Sequence, residues 1–343
     1  MKFYVIWHTN VSNPFHPILS SNSPYHRPYS RFNSNCHFHW GGGTQTAKEI
    51  SSGVWEIEVD KGNWVVSCTG ALDETVEVNT NKLYEIVLTS PDAVLENNSW
   101  AMIKAVAQSG KAPQIWSIGD RKKVSLNGSG NTITLNNYPV EAFIIDFEHM
   151  VSASVYSNKR IDFQIGIANV NQIVGFVDDD YEKVPDDPMN RLTMAQHAPR
   201  YGSWLDGGVF NMLNNKTDVF PSFLPKELLD VLEKYTVYFT STRNNNIEFI
   251  ITSTTLSILS EYEMFGTNRI GIDESAYEKQ KPYFKSGNDK TIWQYNDTRF
   301  NAKSWLRTHA KDKVNYVATV GSITNEYIEY GNYSYGICPV FSI

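Results

Sequence analysis

Short runs of alternating apolar and polar residues, separated by Gly, Asn and Asp, most constrain how this chain of 343 residues can fold. The run VWEIEV (54–59) puts its tryptophan, isoleucine and last valine on one face and both glutamates on the other, and NWVVSC (63–68) repeats the alternation. Successive side chains of a strand point to opposite faces, so such runs indicate half-buried strands. With turn residues between them, they predict a small Ig-like β-sandwich over residues 47–92.

Composition agrees with a chain built largely from strands. The aromatic share of 13% is high and the charged share of 20% is low, which favours β-rich modules over helical bundles. The length is that of two or three domains. We therefore predict a mainly β protein whose C-terminal domain is α+β.

Charge and hydropathy exclude several classes of partner. The formal net charge is −7 and no Lys/Arg run forms a basic stripe, so we expect no nucleic-acid partner. The opening MKFYVIWHTN is too short for a signal peptide or a membrane span, and no later run approaches the ~18 apolar residues that a span needs. We expect neither membrane insertion nor classical export.

The cysteines give no framework for the fold. Cys36, Cys68 and Cys338 are odd in number, far apart and without a CxxC pair. This pattern predicts neither a disulfide scaffold nor a zinc module.

Residues 1–46 differ from the rest of the chain in composition. They hold five of the eight histidines and four of the fourteen prolines, with few aliphatic residues. Pro at this density disfavours both a helix and a central strand. A segment without a core of its own becomes ordered by docking on a partner. We therefore predict an extended N-terminal anchoring arm.

The histidines of this arm have two interpretations. The ligand-type residues are Cys36, His37 and His39, with His8, His16 and His26 nearby. Imidazoles two residues apart on an extended segment point to the same side and could share a metal ion, with symmetry mates in a trimer completing the site. The alternative is a polar arm whose histidines stack or hydrogen-bond at an interface. Since no zinc-type spacing is present, we predict no metal site.

Residues 93–112 carry helix signals. Ser99 is a suitable N-cap, apolar residues recur at a spacing of three from Trp100, and Gly110 provides a stop. The pattern predicts a linker helix between two modules.

The remainder, residues 113–343, is the largest unit. Its strand-like runs alternate with loops, and SFLPKELLDVLEKY (222–235) gives its strongest helical pattern, with Pro225 at the first helical position and an apolar stripe behind it.

Candidate catalytic and metal-binding residues in this unit form no complete set. The acidic residues Asp178, Asp179, Asp180, Asp186 and Asp187 could supply calcium oxygens, but they lack the Asp-x-Asp-x-Asp-Gly order, and a solvated acidic loop is the alternative.

Nucleophile and phosphate motifs are also incomplete. Ser334 lies in Gly-Asn-Tyr-Ser-Tyr-Gly, which has the wrong spacing for a nucleophile elbow, and no Gly-Lys-Ser/Thr follows any glycine-rich loop. His149 follows an acidic strand end, yet no second group completes a site around it, so a structural histidine is the better interpretation. We predict that the chain is not an enzyme and has no catalytic residue and no cofactor.

Aromatic residues among Asn and Ser offer a binding face. Trp293, Tyr295 and the tyrosines between Tyr327 and Tyr335 could form a sugar- or protein-binding surface, since aromatic rings give contact area at low entropic cost. The alternative is that they fill the core of a loop-rich domain.

Three blocks close the chain: LSEYEMFG (259–266), SWLRTHA (304–310) and YGICPVF (335–341). Upstream stand the runs at 100–126, IIDFEH (144–149), GSW (202–204) and LPKEL (224–228). In this order, over about 240 residues, the set resembles a domain family of unknown function that is common in bacteriophage structural proteins and in Firmicutes. The 47–92 meander is similar to the small sandwich that precedes this domain in phage proteins.

The resemblance implies a C-type-lectin-like fold for residues 113–343, similar to phage tropism determinants and to formylglycine-generating enzymes. Two departures matter. Thr308, His309 and Ala310 stand where the family usually has Ser-Pro. The copper-binding cysteine pair of the enzymes is missing, because Cys338 is the single cysteine of this region.

We therefore expect a virion structural protein, either a capsid decoration or head fibre or a tail-associated protein, that displays a lectin-like domain on the particle. Capsid or tail proteins would bind the N-terminal arm, and a homo-oligomer, such as a trimer, would add avidity. The alternatives are an adhesion protein that recognises host surface glycans and an enzyme of the formylglycine-generating type.

Overall fold

The computed structural model describes residues 2–6, 17–21, 36–40, 43–51, 54–58, 62–68, 74–78, 91–130, 133–152, 155–157, 159–168, 172–186, 191–194, 208–214, 220–243, 246–311, 316–322, 325–331 and 333–343. They fall in two units, Met1–Asn98 and Ser99–Ile343. Strand predominates over helix, and among the described strands only one ladder is parallel. The prediction of a mainly β chain is confirmed.

The N-terminal unit consists of strands β1 (Lys2–Ile6), β2 (Pro17–Ser21), β3 (Cys36–Trp40), β4 (Gly43–Ser51), β5 (Val54–Glu58), β6 (Gly62–Cys68) and β7 (Glu74–Val78). Described strands form one sheet in the order β1-β5-β4-β3 and another in the order β2-β6-β7. The runs that alternate in the sequence, β5 and β6, lie inside these two sheets.

Strands from the first 46 residues pair with strands of the meander. β1 is antiparallel to β5, and β2 is antiparallel to β6. This differs from an arm that stands apart from the sandwich. The physical reason is local: β1 contains no proline, and Pro17 is the first residue of β2, a place where a strand tolerates the missing N–H. The boundaries of the predicted sandwich stay a prediction.

The C-terminal unit contains strands β8 (Arg121–Ser129), β9 (Thr134–Asp146), β10 (His149–Ser152), β11 (Val155–Ser157), β12 (Asp162–Ala168), β13 (Gln172–Gly175), β14 (Tyr235–Arg243), β15 (Asn246–Thr254), β16 (Leu256–Ser257), β17 (Ile292–Gln294), β18 (Ser304–His309), β19 (Tyr316–Ser322), β20 (Asn325–Tyr330) and β21 (Val340–Ser342). Its helices are α1 (Trp100–Gln108), α2 (Ala112–Ile115), α3 (Gly208–Asn214), α4 (Lys226–Leu229), α5 (Glu261–Phe265) and α6 (Pro282–Lys285), and it has a 3₁₀ turn at Phe220–Phe223. A further 3₁₀ turn, Leu95–Asn97, belongs to the N-terminal unit.

The main sheet is organised around β12. Within the described residues seven strands belong to it: β9 pairs with β8 and β12, while β21 and β13 share the other edge of β12 and lead on to β16 and β17. Three smaller sheets, β10-β11, β14-β15 and β18-β19-β20, are also described in this unit. Gly166 in β12 has φ +139°, and a Cβ there would meet the Val174 carbonyl oxygen at 2.8 Å, so this central position requires glycine.

The last strand brings the closing block of the sequence to the centre of this sheet. Phe341 stacks on Phe163 of β12 with ring centroids 5.2 Å apart. The backbones of Ile161 and Ile343 exchange hydrogen bonds of 3.0 and 3.1 Å. The terminal motif is therefore a core strand of the domain.

Helix α1 packs on the same aromatic cluster. The Ser99 hydroxyl accepts a hydrogen bond from the Met102 N–H, which confirms the predicted N-cap. The Trp100 ring meets Phe163 and Phe341 edge to face, at 5.7 and 5.9 Å. The segment predicted to link two modules thus contributes its tryptophan to the core of the C-terminal unit.

The helix predicted over 222–235 is shorter than its pattern suggests. The structure has a 3₁₀ turn at Phe220–Phe223, one turn of α-helix in α4, and a strand that begins at Tyr235. Pro225 is the N-cap of α4, one position before the predicted one. The helix cannot continue along the apolar stripe because Tyr235 is the first residue of β14. The Tyr235 hydroxyl donates to the Val340 carbonyl of β21 at 2.9 Å.

Across the described residues, no helix has the length and apolar character that crossing a bilayer requires.

Replacing Trp100 with Ala should lower the free energy of unfolding by about 3–5 kcal/mol, because the substitution empties a buried aromatic site. Leu229→Ala, at an exposed position, is the control and should change it by less than about 0.5 kcal/mol. Urea denaturation followed by fluorescence measures both. Equal effects would mean that α1 is a linker outside the core.

Candidate functional site

The first two closing blocks of the sequence meet at the guanidinium of Arg307, which is 2% exposed. It lies on β18 and donates to the carbonyls of Tyr238, at 2.7 Å, and of Ile258. The two carboxylates that face it are Glu263 and, at 2.7 Å, Glu278. One side chain therefore joins β18 to β14, to the segment before α5, to α5 itself and to the loop before α6.

Glu263 has a second role as the capping residue of α5. Its carboxylate accepts from the Ser260 N–H at 2.9 Å, while the Ser260 hydroxyl accepts from the Glu263 N–H at 3.1 Å. Gly266 ends the helix in the left-handed conformation. The block 259–266 is thus a complete capping box with a glycine stop, and its N3 glutamate also binds Arg307.

Lys281 extends this arrangement to the main sheet. Its ammonium lies 2.7 Å from Asp162 of β12, 3.4 Å from Glu263 and 3.7 Å from Asp146 of β9. His149, on β10, places Nδ1 3.0 Å from Asp162 and Nε2 3.1 Å from the Thr236 carbonyl. The histidine singled out in the sequence is therefore held between two acceptors.

We call this set the ionic cluster. Its members are Asp146, His149, Asp162, Glu263, Glu278, Lys279, Lys281 and Arg307. Four carboxylates face three permanent cations and one imidazole, so the charges can balance inside the fold.

The surroundings divide the carboxylates by pKa. Burial, reinforced by the charge of Glu263, raises the pKa of Glu278 to about 8. Although burial acts to raise it, the charges of Arg307 and Lys281 lower the pKa of Glu263 to about 2. In the same way His149 and Lys281 outweigh burial and hold the pKa of Asp162 below its usual range.

Perturbed carboxylates and a histidine are typical of active sites as well as of structural networks. The space beside this cluster, lined by His149, Tyr238 and Arg307 among others, measures about 10 Å³. That is roughly the volume one water molecule needs. The cluster therefore holds secondary-structure elements together and leaves no room for a substrate.

The departure from the family pattern at 308–310 lies in the interior. All three residues are buried, Thr308 and His309 completely. The Thr308 hydroxyl accepts from the Glu261 N–H at 2.9 Å and donates to the Glu274 carboxylate at 2.9 Å. Burial lowers the pKa of His309 to about 4. These three residues are therefore part of the core and do not form a surface.

The acidic loop and Ser334, separate candidates in the sequence, contact one another. The Ser334 hydroxyl donates to Asp178 at 2.7 Å, and the N–H groups of Leu192 and Asp180 donate to the same carboxylate. Burial raises the pKa of Asp178. Asp180 pairs with Arg191 at 3.1 Å. Asp178 thus connects the segments that contain Asp180, Leu192 and Ser334. Asp179 is exposed, and Asp187 lies outside the described residues.

The histidine-rich arm is only partly described. Cys36, His37 and His39 lie on β3, where the backbone alone is described, and His8, His16 and His26 lie outside the described residues. Within the described part of the chain, no three His, Cys, Asp or Glu side chains are placed to hold a metal ion.

The aromatic residues divide between core and surface. Tyr335 is buried against Trp305, with ring centroids 5.0 Å apart, and its hydroxyl donates to Glu329. Trp293 and Tyr327 are partly exposed. Tyr295 is partly exposed as well, and it lines a groove beside the β8–β9 ribbon.

This groove is open, has a volume of about 800 Å³, and lies between the β8–β9 ribbon and the loop after β17. Lys123, Ser125, Pro139 and Glu141 line the ribbon side, and residues 295–299 line the loop side. Between them Tyr138 and Tyr295 meet edge to face at 5.6 Å. The volume is within the ~300–1,000 Å³ of small-ligand sites, and apolar and polar groups alternate around it.

The loop of the groove is held by a hairpin. Gln294 N–H donates to the Phe300 carbonyl at 2.9 Å, and the Tyr138 hydroxyl donates to the Tyr295 carbonyl at 2.9 Å. At its tip Arg299 donates two hydrogen bonds to Asp297, at 2.8 and 2.6 Å, and they lower the pKa of Asp297 to about 2. The rim is therefore preformed.

Sequence reasoning found Tyr295 and His149 but missed the residues that surround them. Lys281, Asp162 and Glu278 carry no motif, and only the three-dimensional fold brings them together. Lys123 and Glu141 are cross-strand neighbours that no local pattern singles out.

Comparison with protein family models, with curated proteins and with solved structures finds no match to this chain.

Arg307→Met should lower the free energy of unfolding by about 3–5 kcal/mol, because two buried carboxylates lose their partner. Combining it with Glu263→Gln and Glu278→Gln should restore most of this loss, since Gln still fits a capping box. The control, Lys226→Ala, breaks the exposed Lys226–Asp230 pair and should cost about 0–1 kcal/mol. Urea denaturation decides; a loss no larger than the control's would contradict the role of Arg307.

The raised pKa of Glu278 predicts a pH dependence. Between about 4.5 and 8 the folded chain keeps a proton that the unfolded chain releases, so stability falls as pH rises through this window. Gln cannot ionise. Glu278→Gln should therefore gain stability relative to wild type from pH 5 to 8, by up to about 1.4 kcal/mol per unit.

Leu229→Ala, at an exposed position, is the control for this experiment, because it removes no titrating group and does not touch the ionic cluster. Its stability difference from wild type should stay constant from pH 5 to 8. A constant difference for Glu278→Gln as well would contradict the predicted titration.

Proposed function

We propose that the chain is a bacteriophage virion structural protein, attached to the capsid or tail, that displays a C-type-lectin-like domain on the particle surface. The observation that carries the proposal is the convergence of the three closing blocks. Block 259–266 caps α5 and binds Arg307 of the second block, and the third block supplies β21 in the main sheet. Motifs that meet in space support the resemblance as a set more strongly than their order alone.

The N-terminal unit provides the attachment in this proposal. Two of its sheets join strands from the first 46 residues to the meander, so the surface that binds capsid or tail proteins would be a folded module carrying the histidine-rich segments. The chain would be part of the virion as a homo-oligomer, a trimer in the simplest arrangement, and many copies would add avidity to any contact made by the outer domain.

Cys338 favours this function over chemistry of the formylglycine-generating type. Its thiol is buried, and burial raises its pKa to about 12. A thiol that stays protonated is a poor nucleophile and metal ligand. The side chain acts as a small core residue, with Sγ 3.5 Å from the Ser304 hydroxyl.

A second function, adhesion to host surface glycans, is favoured by the groove. A preformed concavity with two tyrosines on its lining and a polar rim is suited to ligand recognition. Display on a particle and adhesion are compatible, since the first positions the domain and the second uses it.

Particle association tests the proposal. Virions purified on a density gradient should contain the full chain in many copies by quantitative mass spectrometry, and antibodies against Ser99–Ile343 should bind intact particles. A chain without Met1–Asn98 should be lost from particles, while Arg299→Ala in the C-terminal unit, the matched control, should be retained. A full chain that stays entirely in the soluble fraction would contradict a virion role.

A further inference from the structure

The two walls of the groove present side chains and not strand edges. In the register of β8 and β9, Lys123 lies opposite Glu141 and Ser125 opposite Pro139. Cross-strand neighbours project from the same face of a ribbon. A peptide that adds a strand needs an edge with unpaired backbone groups. The groove instead offers hydroxyl, ammonium and carboxylate groups above an apolar floor that includes Ile167.

The charges in the groove cancel. Among its described lining residues, Lys123 and Arg299 are cationic and Glu141 and Asp297 are anionic. Both carboxylates already have a guanidinium partner, since Arg121 lies 3.4 Å from Glu141 and Arg299 lies 2.6 Å from Asp297. A charged ligand would compete with these two pairs for their charged groups. An uncharged ligand with many hydroxyls can donate to the carboxylates and accept from the cations while both pairs persist.

An exposed aromatic ring, that of Phe300, directly follows the lining residue Arg299 in the chain. Phe300 is 57% exposed, and in the described residues it is the one aromatic side chain among the large apolar residues left at the surface. The Arg299 guanidinium lies 5.8 Å from its ring centroid. Tyr138 and Tyr295 add two partly exposed rings below. Rings of this kind pack against the C–H faces of pyranose sugars, while their polar neighbours bind the hydroxyls.

We infer that the groove binds an uncharged oligosaccharide chain, held against Tyr138, Tyr295 and Phe300 and hydrogen-bonded by the charged residues of the two walls. This inference rests on the proposed adhesive function and names its site and ligand class. Arg299 lines the groove, Phe300 is the exposed ring beside the Arg299 guanidinium, and the two tyrosines form the platform.

The test is isothermal titration calorimetry of the full chain with four neutral tetrasaccharides and one anionic one. The neutral probes are maltotetraose, cellotetraose, mannotetraose and tetra-N-acetylchitotetraose, and the anionic probe is tetragalacturonic acid. At least one neutral probe should bind with a Kd of about 1 mM or tighter. Because the ligand carries no charge, raising NaCl from about 0.05 to 0.5 M should change its Kd by less than about 2-fold.

Matched variants locate the site. Phe300→Ala and Arg299→Ala should each weaken binding of that probe by about 10-fold. Their controls are Ile251→Ala, another exposed apolar residue, and Lys226→Ala, another exposed member of an ion pair. Both controls should bind within about 2-fold of wild type. All four positions are on the surface, so the variants should keep the wild-type unfolding midpoint.

Three results would overturn the inference. These are the absence of measurable binding by every neutral probe, tighter binding of tetragalacturonic acid than of any neutral probe, and equal weakening by the groove variants and their controls. Each leaves the association with particles untouched, because that depends on the N-terminal unit in a separate measurement. Loss of the chain from particles with sugar binding intact would instead remove the virion role and leave the groove assignment standing.

Discussion

The buried guanidinium of Arg307 constrains how the elements of the C-terminal unit can pack, because all of its partners must surround it. Removing the charge of Arg307 from water is expensive unless it is paired and hydrogen-bonded, and here its partners come from four separate segments of the chain. No alternative packing that separates β18 from α5 or from β14 can satisfy this charge. Lys281 is buried in the same way, and its ion pair with Asp162 connects these elements to β12 of the main sheet. The cluster thus contributes to the uniqueness of the fold more than to its net stability, and the aromatic contacts of Trp100, Phe163 and Phe341 supply the apolar burial.

Local signals in the sequence identify elements whose cause is local. The N-cap at Ser99 and the alternating strands β5 and β6 depend on neighbours within a few residues, and the sequence predicts them. The helix predicted over 222–235 is too long, because an apolar stripe in the sequence cannot show that Tyr235 is part of a strand. The pairing of the N-terminal strands β1 and β2 with the meander is likewise a long-range choice.

The candidate site divides in the same way. Tyr295 stands out by its composition alone, but the wall it faces is formed by Lys123 and Glu141, which only the register of β8 and β9 places together. Residues with apparent chemistry, such as His149, Asp178 and Ser334, belong to hydrogen-bond networks in the interior. Their residue types suggest catalytic chemistry, but their burial and hydrogen bonds indicate a structural role. The proposed binding groove, by contrast, is lined by surface residues, part of them on the hairpin that the Gln294–Phe300 hydrogen bond closes.

The position of β21 has a consequence for how the domain is made. Its partner β12 lies more than half the chain earlier in the sequence, so the central sheet is completed only after nearly all of the domain has been synthesised. Contacts between such distant segments slow folding, and until they form, one edge of β12 is open to strands of other chains. Copies produced together at high concentration would be exposed to mispairing during this interval, so the rate of synthesis and access to chaperones should influence how much of the chain folds correctly.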